Sequence, residues 1–156
     1  MTTATNARFA PATLVRAIEA GRSAFAAIPY WLIALTARLA LAQVFWSSAQ
    51  THLASWDTTL YMFANTYNVP LLPPDFAAYL SVTIEVVTPW LFVLGLFTRL
   101  AALVVFGMTL VIEIFVFPQA WPTHIQWAAM MLVLMGLGPG WLSLDTVIHR
   151  WIARCA

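Results

Sequence analysis

The stretch Leu100–Phe117 has the sequence LAALVVFGMTLVIEIFVF, and Glu113 is its single charged residue. A helix needs about 20 mostly apolar residues to cross a hydrocarbon core roughly 30 Å thick, and this stretch nearly reaches that length. Stretches of the same kind lie on either side of it, at Trp31–Gln50, Phe76–Phe97 and Ile125–Leu142. The sequence therefore predicts an all-α fold, an integral membrane four-helix bundle.

The overall composition favours the same environment. Of the 156 residues, 62% are hydrophobic and 8% are charged, whereas a soluble domain carries about 25% charged residues. This excludes a free globular protein and makes the lipid bilayer the expected surrounding. With a formal net charge of +1, the chain has no basic face for phosphates, which excludes nucleic acid as a partner.

The distribution of arginine predicts the orientation in the membrane. The loops Thr51–Asp75 and Pro118–His124 contain no basic residue other than histidine. Arginines instead precede the first span, lie between the second and third, and follow the fourth. Because basic residues favour the cytoplasmic side, we expect both termini to be cytoplasmic and the protein to lie in the cytoplasmic (inner) membrane. The arginines concerned are Arg8, Arg16, Arg22, Arg99, Arg150 and Arg154.

Three segments outside the spans have apolar residues at helical spacing, which is typical of amphipathic helices that lie at a membrane surface. Residues 1–30 are predicted to be a cytoplasmic N-terminal segment of this kind, and residues 143–156 a cytoplasmic C-terminal helix. The four-span domain lies between them, at residues 31–142. The third segment is in the first outer loop, where a stripe from Leu53 to Tyr67 predicts a short helix in the interface or one that re-enters the bundle.

Charged side chains inside a span are costly and usually functional. Arg38 and Glu85 are predicted to lie at similar depth, so the sequence favours an ion pair between them, as a packing device or as part of a binding site. Glu113 lies nearer the outer end of the third span. Because one arginine cannot neutralise two carboxylates, one of them is expected to stay protonated or to reach water. The predicted ligand-binding residues are Arg38, Ser81, Glu85, Thr88 and Glu113.

The outer side of the bundle offers a second group of polar residues. His52, Asp57 and His124, with Glu113, are candidates for a polar site at the outer mouth, and imidazole and carboxylate groups suit divalent metals. No spacing motif supports such a centre, so no metal ligand is predicted. The single cysteine, Cys155, excludes an internal disulfide and covalent haem attachment. No covalently bound cofactor is therefore expected.

Two motifs resemble the DoxX family of small membrane proteins. Residues 95–102 are GLFTRLAA and residues 138–145 are GPGWLSLD, and Arg38 and Glu85 fit the same pattern. The resemblance extends from about residue 31 to residue 145, and it implies a four-helix membrane bundle in which Arg38, Glu85 and Arg99 correspond to family positions. Family members are described as the membrane subunit of thiosulfate:quinone oxidoreductase or as partners of sulfur and oxidative-stress proteins. The family often has lysine near the position of His52.

Together these observations favour a membrane subunit that binds a lipophilic small molecule, with quinone as the first candidate, for an associated redox or stress-response system. Protein partners in a membrane complex are expected, and a homo-oligomer is compatible with the sequence. Whether the chain is itself an enzyme stays open. The alternatives are a lipophile-binding or transport protein without redox chemistry, and a membrane assembly or metal-homeostasis factor.

Overall fold

The computed structural model describes residues 12–67 and 69–155, so Arg8 lies outside the described residues. Those residues form helices and no strand, which confirms the all-α prediction. The helices are α1 (Ala12–Ala26), α2 (Tyr30–Ala54), α3 (Trp56–Met62), α4 (Pro74–Leu94), α5 (Thr98–Val111), α6 (Trp121–Leu137) and α7 (Leu144–Cys155). A π-helical turn at Phe63–Tyr67 extends α3, another at Ile112–Val116 extends α5, and a 3-10 turn at Pro118–Ala120 precedes α6.

Three of the helices, in the part of the chain that the structure describes, are long and apolar enough to cross a membrane. They are α2, α4 and the continuous segment Thr98–Val116. The fourth predicted span differs, because α6 begins at Trp121 and ends at Leu137 rather than covering residues 125–142. Pro122 is accepted in the first helical turn, while Gly138, with φ +88°, ends the helix. At 17 residues, α6 is about 26 Å long.

The chain divides into two compact units, with the boundary between Tyr30 and Trp31. In the first unit the structure describes α1, whose Leu14, Ile18 and Phe25 are exposed. The second unit contains the bundle. Its α5 packs along α6 and also against α4. We call the end where α2 and α5 finish the upper end, and the end where α4 finishes and α5 begins the lower end.

Arg38 holds the lower end together through backbone carbonyls. Its side chain is almost fully buried, at 1% exposure. The guanidinium donates to Phe92 O at 2.6 Å and to Val93 O at 2.7 Å, in the last turn of α4. It also donates to Leu142 O at 2.7 Å and Pro139 O at 3.2 Å, in the segment after α6. Carbonyls at a helix C-terminus carry partial negative charge, so they stabilise the cation, and the carboxylate of Asp145 adds a favourable charge interaction.

The predicted Arg38–Glu85 ion pair is therefore wrong. Glu85 is hydrogen-bonded to Ser48 and His52 instead. Along α4, the carbonyls that bind Arg38 lie seven and eight residues from Glu85, which is about 10–12 Å of helix. The two charges therefore do not lie at similar depth, because Glu85 is about two helical turns away from the carbonyls that bind Arg38.

The turn between α4 and α5 is built around Gly95, which has φ +65° and ends α4. A Cβ atom there would lie 2.7 Å from the Arg38 guanidinium, so the close approach of backbone and arginine requires glycine. Asp145 accepts hydrogen bonds from the N–H groups of Phe97 at 2.7 Å and Thr98 at 2.9 Å. The start of α7 is thereby fixed to the start of α5.

At the upper end, α2 continues one turn past the predicted boundary at Gln50, to Ala54. His52 is therefore held on a rigid helix. Thr59 of α3 donates to the carbonyl of His52 at 2.8 Å, which ties the connection between α2 and α4 to the end of α2. Phe63, in the π-helical turn that follows, is 4% exposed and packs with Ala77 and Ala78 of α4.

Candidate functional site

A cavity of about 680 Å³ lies in the upper half of the bundle, between α2, α4, α5 and α6. This is within the range of small-molecule sites, which is about 300–1,000 Å³. Most of its wall is aliphatic or aromatic. The polar side chains that line it include Ser48, His52, Tyr67, Ser81, Glu85 and His124.

The first polar pair of the site joins α2 to α4. His52 Nδ1 lies 2.7 Å from Glu85 Oε2, and Ser48, one turn earlier on α2, donates to Glu85 Oε1 at 2.9 Å. Helical spacing places Ser48 and His52 on the same side of α2, so both oxygens of Glu85 are held by one helix. Glu85 is 4% exposed, and these two contacts satisfy it.

The second polar pair joins the end of α5 to α6. His124 Nδ1 lies 2.5 Å from Glu113 Oε2. Glu113 belongs to the π-helical turn, where the wider turn changes the direction of side chains relative to a continuous α-helix. Pro118 begins the 3-10 turn that reverses the chain, and His124 follows in the first turns of α6. The short connection thus brings two residues that are eleven apart in sequence into contact.

Both pairs leave one imidazole nitrogen free for a ligand. Within residues 12–67 and 69–155, neither His52 Nε2 nor His124 Nε2 has a hydrogen-bond partner. Thr98 Oγ1 is the single inaccessible side-chain polar atom without a partner in those ranges, so neither Nε2 atom is completely inaccessible. Since both rings line the cavity, a bound molecule can hydrogen-bond to either of them.

Aromatic side chains form a second wall of the cavity. Phe63, Tyr67 and Phe117 follow one another edge to face, with ring centroids 4.9 and 5.5 Å apart. Phe45 and Trp127 form a similar pair at 5.8 Å. Such rings present both faces and edges to a planar molecule, which is a favourable setting for another aromatic ring.

Tyr67 adds a hydroxyl group to this wall. Burial, and secondly the negative charge of Glu85, raise the pKa of the Tyr67 phenol above its ordinary value of 10.0. The phenol therefore keeps its proton at neutral pH, and it can donate a hydrogen bond into the cavity.

The residues predicted from the sequence separate into those at the cavity and those away from it. Ser81, Glu85, His52 and His124 line the cavity, and Glu113 is connected to it through His124. Thr88 and Arg38 are not among the lining residues. The Thr88 hydroxyl donates to the carbonyl of Ile84 on its own helix at 2.8 Å, and Arg38 lies at the lower end.

The candidates for an outer polar site are brought together in part: His52 and His124 line the same cavity, and Glu113 contacts His124. The two histidines take different carboxylates, and Asp57 is exposed on α3 and does not line the cavity. In the described ranges, no three His, Cys, Asp or Glu side chains come together in a way that could hold a metal ion.

Sequence reasoning missed the pairing of each histidine with a carboxylate. The sequence indicates that both histidines lie on the outer side of the bundle, whereas the structure brings each ring against a carboxylate. Phe45 and Ala49, which precede His52 on α2 by seven and three residues, are buried. The sequence boundary of the first span lies at Gln50, whereas α2 continues to Ala54. With the later boundary, His52 belongs to the span and can reach Glu85.

The fold and the site together define a multi-pass helical membrane protein with a partly polar cavity among its helices. Residues 33–118 match the model of the DoxX family, which is more than half of the 156 residues. The chain belongs to the DoxX family. No curated protein and no solved structure matches the chain.

Proposed function

We propose that this DoxX protein binds a lipophilic molecule with an aromatic or quinonoid head group in its upper cavity, and that it serves an associated redox or stress-response protein. The cavity itself carries the proposal, because it combines aromatic walls with two imidazoles whose Nε2 atoms are free. Quinone is the leading ligand. Its flat ring suits the edge-to-face aromatic wall, and its ring oxygens suit imidazole and phenol partners.

The residues of the chain have distinct roles in this proposal. His52 and His124 contact the ligand oxygens through Nε2, while Glu85 and Glu113 orient the rings and fix the position of their protons. Ser48 holds Glu85 in place. Tyr67 and Ser81 offer further hydroxyl groups. A bound quinone would supply two-electron chemistry to a partner enzyme.

The setting of the site in the cell is part of the same proposal. We place the protein in the cytoplasmic (inner) membrane with α6 as a fourth crossing helix and both termini in the cytoplasm. Helices α1 and α7 then lie on the cytoplasmic surface. The surface position of α7 is supported by its exposed apolar side chains and its two arginines, which are typical of a helix at a membrane surface. These residues are Val147, Trp151, Ile152, Arg150 and Arg154. A protein partner or a second copy of the chain would complete the membrane complex.

The test is to purify the protein in lipid nanodiscs and to identify the lipophilic molecules that copurify with it, by chromatography and mass spectrometry. Nanodiscs with the unaltered protein are expected to contain more native quinone than nanodiscs with the His52→Phe, His124→Phe double variant. The double variant fills the site with apolar side chains. His149→Phe is the matched control, because His149 is on α7, away from the cavity, and it should retain quinone.

A non-redox lipophile carrier is the second candidate, favoured by the mostly aliphatic remainder of the cavity wall. Specific enrichment of another lipophile would replace quinone by that ligand, and the same histidine variants would then show whether it occupies this cavity. Enrichment that is equal in all variants would contradict binding at this site.

A further inference from the structure

The two carboxylate–histidine pairs have a chemical property that a single histidine lacks. With an ionised carboxylate, Nδ1 of a neutral imidazole donates to it, so Nε2 presents a lone pair and accepts hydrogen bonds. When the pair gains one proton, Nε2 carries hydrogen and becomes a donor. This holds whether the added proton is formally on the imidazole or on the carboxyl group, because a protonated carboxyl donates to Nδ1 and leaves Nε2–H.

The two redox forms of a quinone require opposite partners. The oxidised form presents carbonyl oxygens, which accept hydrogen bonds. The reduced form presents hydroxyl groups, which donate them. A pair with the additional proton therefore fits the oxidised form, and a pair without it fits the reduced form.

We infer that the His52–Glu85 and His124–Glu113 pairs act as two proton-linked selectors of ligand redox state, each holding one more proton when the oxidised form is bound than when the reduced form is bound. This inference rests on the proposed function. It deepens that function by assigning a proton to each oxygen of the ligand head group. A hydroquinone has two protons more than its quinone, and the cavity has two pairs, each of which can bind one proton.

Other titratable groups at the cavity do not duplicate this behaviour. The pairs are reached from α2 by His52, from α4 by Glu85, from the end of α5 by Glu113 and from α6 by His124. The π-helical turn after α3 contributes Tyr67, whose phenol keeps its proton at neutral pH. Arg38 binds carbonyls at the lower end. His52 and His124 are the imidazoles among the residues that line the cavity, so the response is assigned to the pairs.

The ratio of the affinities for the oxidised and reduced forms should depend on pH. Lowering the pH adds protons to the pairs, which converts Nε2 atoms from acceptors into donors. The affinity for the oxidised form should rise relative to the affinity for the reduced form. By proton linkage, the ratio of the two affinities should change by up to about tenfold per pH unit for each pair.

The experiment measures binding of a decyl-substituted benzoquinone and of its hydroquinone to the full chain in nanodiscs between about pH 5 and 8. Partition into empty nanodiscs is subtracted. The bis-methyl ether of the hydroquinone is the ligand control, because it keeps the ring and tail but has no hydroxyl proton. Its affinity relative to the hydroquinone should increase as the pH falls.

The variants assign the effect to each pair. His52→Gln and His124→Gln keep a polar side chain of similar length without a titrating imidazole. Each is expected to reduce the pH slope of the affinity ratio by about half, and the double variant to abolish it. His149→Gln should leave the slope unchanged.

The outcomes separate this inference from the proposed function. Binding of both forms with a ratio that does not change with pH would overturn the inference and leave the quinone site standing. Absence of saturable binding of either form at every pH would overturn both. A pH slope that survives in the double glutamine variant would also overturn the inference, since it would show that other groups bind the proton.

Discussion

At the residue scale, the main result is that the three charges inside the spans are stabilised in two different ways. Arg38 is surrounded by backbone carbonyls, whereas Glu85 and Glu113 each contact an imidazole. A buried arginine next to a helix C-terminus is stabilised by several carbonyl dipoles, and here the charge of Asp145 adds to them. The buried charges are therefore distributed over both ends of the bundle rather than gathered in one ion pair.

The first prediction follows from that separation. Arg38→Ala should cost about 3 kcal/mol or more, because it leaves carbonyls unpaired, and Glu85→Ala should add independently to it. The coupling energy in the double variant should be within about 0.5 kcal/mol of zero. Reversible unfolding in detergent or bicelles measures all members of the cycle.

A second cycle, His52→Ala with Glu85→Ala, is the control for the first. These side chains are in contact, so their coupling energy should lie at about 0.5–3 kcal/mol. Strong coupling of Arg38 with Glu85, or none of His52 with Glu85, would contradict the separation of Arg38 from Glu85 and the contact of Glu85 with His52.

The second prediction concerns Gly95. Its Cβ would be 2.5 Å from Ser143 Cβ and 2.7 Å from an Arg38 nitrogen, at a φ of +65°. Gly95→Ala should therefore lower the melting temperature and the yield of folded protein. Gly136→Ala is the matched control, because nothing lies within 4 Å of the added Cβ and alanine favours the helix by about 1 kcal/mol. A Gly95→Ala protein as stable as Gly136→Ala would show that the turn is not tightly packed.

At the scale of the elements, two π-helical turns border the upper cavity. One contributes Phe63 and Tyr67, and the other contains Glu113. Turns of this kind often occur at functional sites, because the additional residue redirects side chains. The connection between α2 and α4 is thus a structural part of the cavity, fixed by Thr59 to the end of α2.

The third prediction tests that role. Phe63→Ala removes a buried ring between the connection and α4, and a Phe→Ala change in a core costs about 3–5 kcal/mol. Hydrogen exchange in residues 56–67 should increase, and affinity for the decyl benzoquinone should fall. Phe115→Ala is the control, because Phe115 is 54% exposed and should face lipid. Equal exchange in both variants would mean that Phe63 does not hold the connection in place.

At the scale of the whole molecule, the number of crossing helices decides which side each terminus occupies. α2, α4 and the α5 segment meet the requirement for a membrane span by length and apolarity. α6 is shorter, but it packs along α5 and contributes His124 to the cavity. If α6 crosses, the number of crossings is even, and the two termini lie on the same side.

The fourth prediction uses this parity. Cys155 is the single cysteine and is exposed. It should resist a membrane-impermeant thiol reagent in spheroplasts and react after permeabilisation. In a Cys155→Ser background, Ser23→Cys on α1 should behave identically. Asp57→Cys in the same background should react from outside and is the positive control. Labelling of residues 23 and 155 from opposite sides would mean an odd number of crossings.

The sequence by itself determined the membrane environment, the helical class and the family. These follow from long apolar stretches such as Leu100–Phe117 and from local motifs such as residues 95–102. Such properties depend on composition and on short-range spacing, and both can be read directly from the sequence. Helical periodicity likewise determines that Phe45, Ala49 and His52 share a face of α2.

Only the tertiary structure decided which buried groups meet. The relative depth of Arg38 and Glu85 depends on the register between helices, and a shift of one or two turns changes every partner. The contact of Glu113 with His124 depends on a π-helical turn and a reversal at Pro118, which no periodic pattern encodes. Partners across a bundle are set by the packing of all its helices together, so composition and spacing along one segment could not supply them.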